Sequence, residues 1–154
     1  MKKSILFSIV AILFMSFSCS KEENTATSNY FNFKIDKSEP VGFETASAAF
    51  NSKTGKLWIQ KQDKLAQNVI FNISSDFDGK TGTYTQAATY NLVYNAWGYN
   101  LSLNTITINS FANGRIKGTA ETTYLIPIPA PKGQPTPAVV EVSEISFDLP
   151  CTTI

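Results

Sequence analysis

The chain has 154 residues, 12% of them aromatic, and a formal charge of +1 from 13 basic and 12 acidic side chains. So even a balance leaves no clustered cationic footprint for nucleic acid. A single arginine, Arg115, offers little bidentate clamping of phosphate or carboxylate, and the lack of histidine removes Ser-His-Asp and Cys-His catalysis and His-ligated zinc.

Lys2 and Lys3 lead an apolar run from Ile5 to Phe17 that stops at Ser18-Cys19. A positive start, an apolar centre and small residues at the end make a secretory signal. The run is shorter than the ~20 residues of a membrane span. A cysteine directly after a small residue resembles a bacterial lipoprotein signal peptide, with Ser16-Phe17-Ser18 standing where leucine and small residues are usual. The resemblance implies removal of residues 1–18 and acylation of Cys19. Lys21, Glu22 and Glu23 resemble the export signal of Bacteroidetes-type surface lipoproteins. That implies a lipid-anchored outer-membrane protein facing outward, with a periplasm-facing protein as the alternative. The chain from Cys19 onward has 136 residues and a formal charge near −1. Residues 19–29 read as lipidated cysteine and tether, since Ser20 to Ser28 contain no large apolar residue. Such a tether spans ~15–18 Å.

Residues 30–154 read as one domain. Phe31, Phe33 and Ile35 alternate with polar residues, the period of a half-buried strand. Asp36 to Pro40 turns the chain. Phe43 to Phe50 is a weaker strand with Ala46, Ala48 and Phe50 on one face, and Asn51 to Gly55 is a hairpin loop. Leu57 and Ile59 point to the core and Trp58 away from it. Val69, Phe71 and Ile73 form the next strand, Asp76 to Gly82 a turn, and Thr83 to Thr85 a further strand. Between Tyr90 and Leu103, Trp97-Gly98 interrupts the alternation, so the pattern leaves the register open. Ile106 and Ile108 resume it, and Asn113-Gly114 is the strongest hairpin signal, because both residues tolerate positive φ. Ile116 to Leu125 returns, with Gly118 marking a close approach. The five prolines between Ile126 and Pro137 forbid a central strand there. Val139 to Leu149 closes the domain, and its change of apolar parity predicts a β-bulge near Ser143-Glu144. The pattern predicts an all-β fold, an antiparallel β-sandwich or flattened barrel of eight to nine strands. Its core is Phe31, Phe33, Ile35, Leu57, Ile59, Val69, Phe71, Ile73, Ile106, Ile108 and Phe147.

The opening Phe31-to-Asp36 strand, Gly82-Thr83-Tyr84-Thr85, Thr105-Ile106-Thr107-Ile108 and the hairpin into Arg115–Thr119 together resemble a family of flavobacterial surface lipoproteins. The resemblance covers most of residues 30–149, departs at the proline-rich segment and its aromatic predecessor, and implies a fold and an address but no site.

Five groups carry chemical suggestions. Asp76-Phe77-Asp78-Gly79 resembles part of a calcium loop but lacks its later ligands, and Asp and Gly are what a tight turn selects. Glu141 and Glu144 have the composition of a glycosidase pair, yet nothing in the sequence builds a cleft around them and they read as solvated outer-face residues. Cys151 has no partner left in the chain once Cys19 is acylated, and reads as a small buried hydrophobe. The proline-rich segment reads as a stiff surface loop, with a polyproline ligand as the alternative. Trp58, Trp97 and Tyr99 are the candidate ligand-binding residues for a glycan or protein partner, set against the alternative that they are core or cross-strand pairs. No metal or cofactor is implied. The function expected is a membrane-anchored, non-enzymatic binding or accessory module; a carboxylate-based polysaccharide hydrolase and a structural subunit of an outer-membrane assembly are the alternatives.

Overall fold

The computed structural model describes residues 29–43, 46–61, 69–129 and 132–154. Cys19, Lys21, Glu22 and Glu23 lie outside the described residues. The described chain is all-β, with ten strands where eight or nine were expected. They are β1 (Tyr30–Ile35), β2 (Val41–Phe43), β3 (Ala46–Asn51), β4 (Lys56–Lys61), β5 (Val69–Asp76), β6 (Gly82–Tyr94), β7 (Trp97–Ala112), β8 (Arg115–Ala120), β9 (Thr123–Pro127) and β10 (Val140–Thr153).

Pairing runs β3-β4-β5-β6-β7-β8-β10 and returns from β10 to β3, so the sheet closes on itself as a flattened barrel. The sheet is antiparallel as expected, and among the described strands the closing contact alone is parallel, with Cys151–Thr153 of β10 running beside Ala48–Phe50 of β3. The long β10 also holds β1 beside it on the same edge as β3, and β8 and β9 in succession on the other. Most outward positions carry Asn, Gln, Ser, Thr and Lys, with Trp58, Ile70, Val93, Tyr124 and Ile126 exposed among them.

The extra strands have local causes. The expected Ile116–Leu125 strand breaks at Glu121-Thr122 into β8 and β9, and β9 runs on into the proline-rich segment as far as Pro127. There Tyr99 and Asn100 of β7 pair with Pro127 and Ile126. The interrupted region resolves as a two-residue hairpin at Asn95-Ala96, both at positive φ, which joins Tyr94 to Trp97. Leu103, also at positive φ, inserts a bulge into β7. It switches the inward residues from Tyr99 and Leu101 to Asn104, Ile106 and Ile108. Asn113-Gly114 forms the expected hairpin, and the bulge in β10 falls at Glu144 (φ 51°).

Inside, Phe71 stacks on Phe31 with centroids 5.5 Å apart and meets Phe33 and Tyr90 edge-on at 4.7 and 5.7 Å. Such contacts add ~0.5–1.5 kcal/mol each beyond the buried area. Every residue of the expected core is buried except Val69, which is half-buried against it. Phe50, Phe77, Tyr84 and Phe111 form a second aromatic cluster.

Candidate functional site

The five groups named from the sequence separate clearly. Asp76-Phe77-Asp78-Gly79 is a structural turn. Phe77 is buried in the second aromatic cluster, Asp76 pairs with Lys56, and the Tyr84 hydroxyl donates to Asp78. That hydrogen bond, with the Lys80 amide as a second donor, holds the Asp78 carboxyl below its ordinary pKa. The Tyr84 hydroxyl is raised by burial first and by the neighbouring carboxylate second. Cys151 is buried as expected, and burial pushes its thiol up to about 11. A thiol so placed is a poor nucleophile.

Glu141 and Glu144 lie on the outer face as expected, where they also line a groove with Lys34, Lys37, Thr122 and Ser143. The bulge at Glu144 turns both carboxylates to one face of β10. Each already has a partner: Lys34 Nζ donates to Glu144 Oε1 at 2.6 Å and the Tyr124 hydroxyl to Glu141 Oε2 at 3.1 Å.

The aromatic candidates do not form one platform. Tyr99 is only 3% exposed, and this overturns its expected place on a binding surface. The two-residue hairpin sets β7 so that Tyr99 points into the barrel. Its hydroxyl is raised by burial, then by Asp36 and Tyr94. Trp97 has the same inward parity, packs half-buried against the core, and borders a hollow with Gly98, Ile128 and Pro129.

Trp58 is different. It is 39% exposed on the outer face and lines a groove of about 270 Å³ with Gln60, Asn72, Ser74 and Asn91. Strand alternation produces this directly: Leu57 and Ile59 are buried, so the residue between them must face out. Ala49 stands opposite Trp58 on β3 and is too small to cover the indole. On the other side Trp58 faces Ser74, which faces Thr89, whose hydroxyl donates to Ser102. In the adjacent row Gln60 faces Asn72, Asn72 faces Asn91, and Asn91 faces Asn100. None of the side chains in these two rows is ionisable, and the Lys56–Asp76 pair lies at the rim.

The row of carboxamides went unnoticed in the sequence because each member is an ordinary outward polar residue of its own strand. Only the pairing register across four strands brings them together. Among the described residues, no group of three or more His, Cys, Asp or Glu side chains is placed to hold a metal ion. No family model, curated protein or solved structure matches the chain.

Proposed function

We propose that this chain is a lipid-anchored lipoprotein of the outer membrane whose β-barrel domain is a non-enzymatic binding module, with the outer face around Trp58 as its ligand surface. The exposed indole over an uncharged polar groove carries the reading. A rigid aromatic face buries a large area on binding at small rotamer cost, and strands β4 to β6 hold it without any rearrangement. Acylation of Cys19 and the Lys21-Glu22-Glu23 signal supply the address.

Hydrolysis by Glu141 and Glu144 is the second reading, favoured by the groove they share. It is the weaker one, since Lys34 and the Tyr124 hydroxyl already engage the two carboxylates. An assembly role draws on the exposed Ile126 and Ile128.

Affinity electrophoresis of the detergent-solubilised full-length protein through gels containing soluble polysaccharides separates these readings. Retardation that Trp58→Ala abolishes, with no release of reducing ends, is the expected result. Retardation unaffected by Trp58→Ala, or sugar release that Glu141→Gln abolishes, overturns it.

A further inference from the structure

The row Gln60–Asn72–Asn91–Asn100 crosses four adjacent strands, each member directly opposite the next. At about 4.8 Å per strand the row spans roughly 14 Å. Neighbouring carboxamides in register ordinarily hydrogen-bond to one another, as in the ladders of stacked sheets. Here, among the described residues, no hydrogen bond ties any of these side chains to another protein group. Each therefore offers two N–H donors and a carbonyl acceptor to whatever lies on the face.

The flanking rows differ from the ladder in character. On one side the Thr89 and Ser102 hydroxyls satisfy each other, and Trp58 supplies an apolar surface at the end. On the other side Ile70 faces Val93, and Val93 faces Gly98; Ile70 and Val93 are 42% and 39% exposed. The ladder is thus a strip of paired donors and acceptors between an indole and an apolar rail.

We propose that this ladder is a subsite for an uncharged polysaccharide lying across β4 to β7, which specifies the ligand class of the Trp58 surface and rests on that surface being the binding site. Sugar hydroxyls both donate and accept, as carboxamides do, and the C–H faces of the rings match the indole and the Ile70–Val93 rail. An anionic or cationic polymer would lose its hydration here and meet no counter-charge from the described side chains of the two rows. A peptide is less well served. Strands β4 to β7 are all paired on both sides, so no edge is free to accept an added strand.

The test uses the detergent-solubilised full-length protein with a neutral α-glucan, a neutral β-glucan, a uronic-acid polymer and an unrelated peptide as probes. Retention by one neutral glucan is expected. Asn72→Ala and Asn91→Ala, both at outward positions, should each weaken it about 5–20-fold, as loss of one or two hydrogen bonds implies, with the unfolding midpoint unchanged. Gln60→Ala and Asn100→Ala should weaken it less, at the ends of the row. If the Asn72→Ala/Asn91→Ala double variant binds as wild type while Trp58→Ala does not, the ladder proposal fails and the Trp58 surface stands. If Trp58→Ala also binds as wild type, both fail. Retention by the uronic-acid polymer or the peptide alone, or by none of the probes, overturns the neutral class.

Discussion

The Arg115 guanidinium grips Asp148 across β8 and β10, with Nε donating to the Asp148 carboxylate at 3.0 Å and Nη2 to both its carboxylate and its backbone carbonyl. Nη1 reaches Asn29 at 2.9 Å, just before β1. The chain's one arginine thus joins three segments at the point where the domain begins. A lysine keeps the charge but cannot reproduce the fork. Arg115→Lys should lower unfolding free energy by ~1–3 kcal/mol, read as a shifted urea midpoint at unchanged slope. A midpoint equal to wild type would show that solvent screens the pair completely.

Gly118 is required by contact, not by backbone angle. A Cβ there would lie 2.2 Å from the Thr107 carbonyl oxygen and 2.7 Å from Phe147 Cζ. The Phe147 ring is fully buried and the carbonyl is backbone paired within the β7–β8 ladder, so neither can yield cheaply. Gly118→Ala should cost roughly 3 kcal/mol or more, measured by thermal and urea unfolding. A neutral substitution would contradict the packing described around Phe147.

Much of the fold was legible because its signals are local. Phe31, Phe33 and Ile35 show their period within six residues, Asn113-Gly114 announces its own turn, and the parity change of β10 marks the bulge at Glu144. The turn at Asn95-Ala96 was not legible, since alanine has no preference for positive φ, and Tyr99 was misplaced with it. A local trace did exist: the apolar phase moves from Leu101 to Ile106 and Ile108, which is what a bulge at Leu103 requires. Barrel closure through a parallel three-residue contact, and the carboxamide row, depend on pairing between distant segments. No single strand records either.

Cys151 gives a pH dependence whose sign follows from its burial. Its folded pKa is raised from 9.0 to about 11 because the buried thiolate is poorly solvated. Between those values the folded chain keeps a proton that the unfolded chain has released, so stability falls as pH rises. The stability is complete below about pH 9 and declines by up to ~2–3 kcal/mol through pH 11. Cys151→Ala should flatten that decline, and the comparison is the difference in urea midpoints between pH 8 and pH 10.5 for the two proteins. Equal slopes would mean that the thiol is solvated.

The anchor is tested separately from the fold. A single acyl chain holds a protein only marginally, whereas two or more attach it effectively for good. Cys19→Ala should release the protein from the membrane fraction or leave an uncleaved precursor. Alanine at Lys21, Glu22 and Glu23 together should leave it membrane-bound and shielded from external protease. A Cys19→Ala protein that remains mature and tightly bound would contradict lipidation at Cys19; full surface exposure of the triple variant would show that Lys21, Glu22 and Glu23 are not the export signal, and a wild-type protein itself shielded from external protease would favour the periplasm-facing alternative.

The binding surface itself is tested most directly by tryptophan fluorescence, since the chain has two tryptophans and the structure gives them different roles. In a detergent-solubilised Trp97→Phe protein the emission comes from Trp58 alone. Titration with a neutral glucan should shift that emission to the blue and saturate, as an exposed indole becomes covered. The Trp58→Phe protein, reporting only the half-buried Trp97, should show no change. A saturable shift from Trp97 with none from Trp58 would contradict the account.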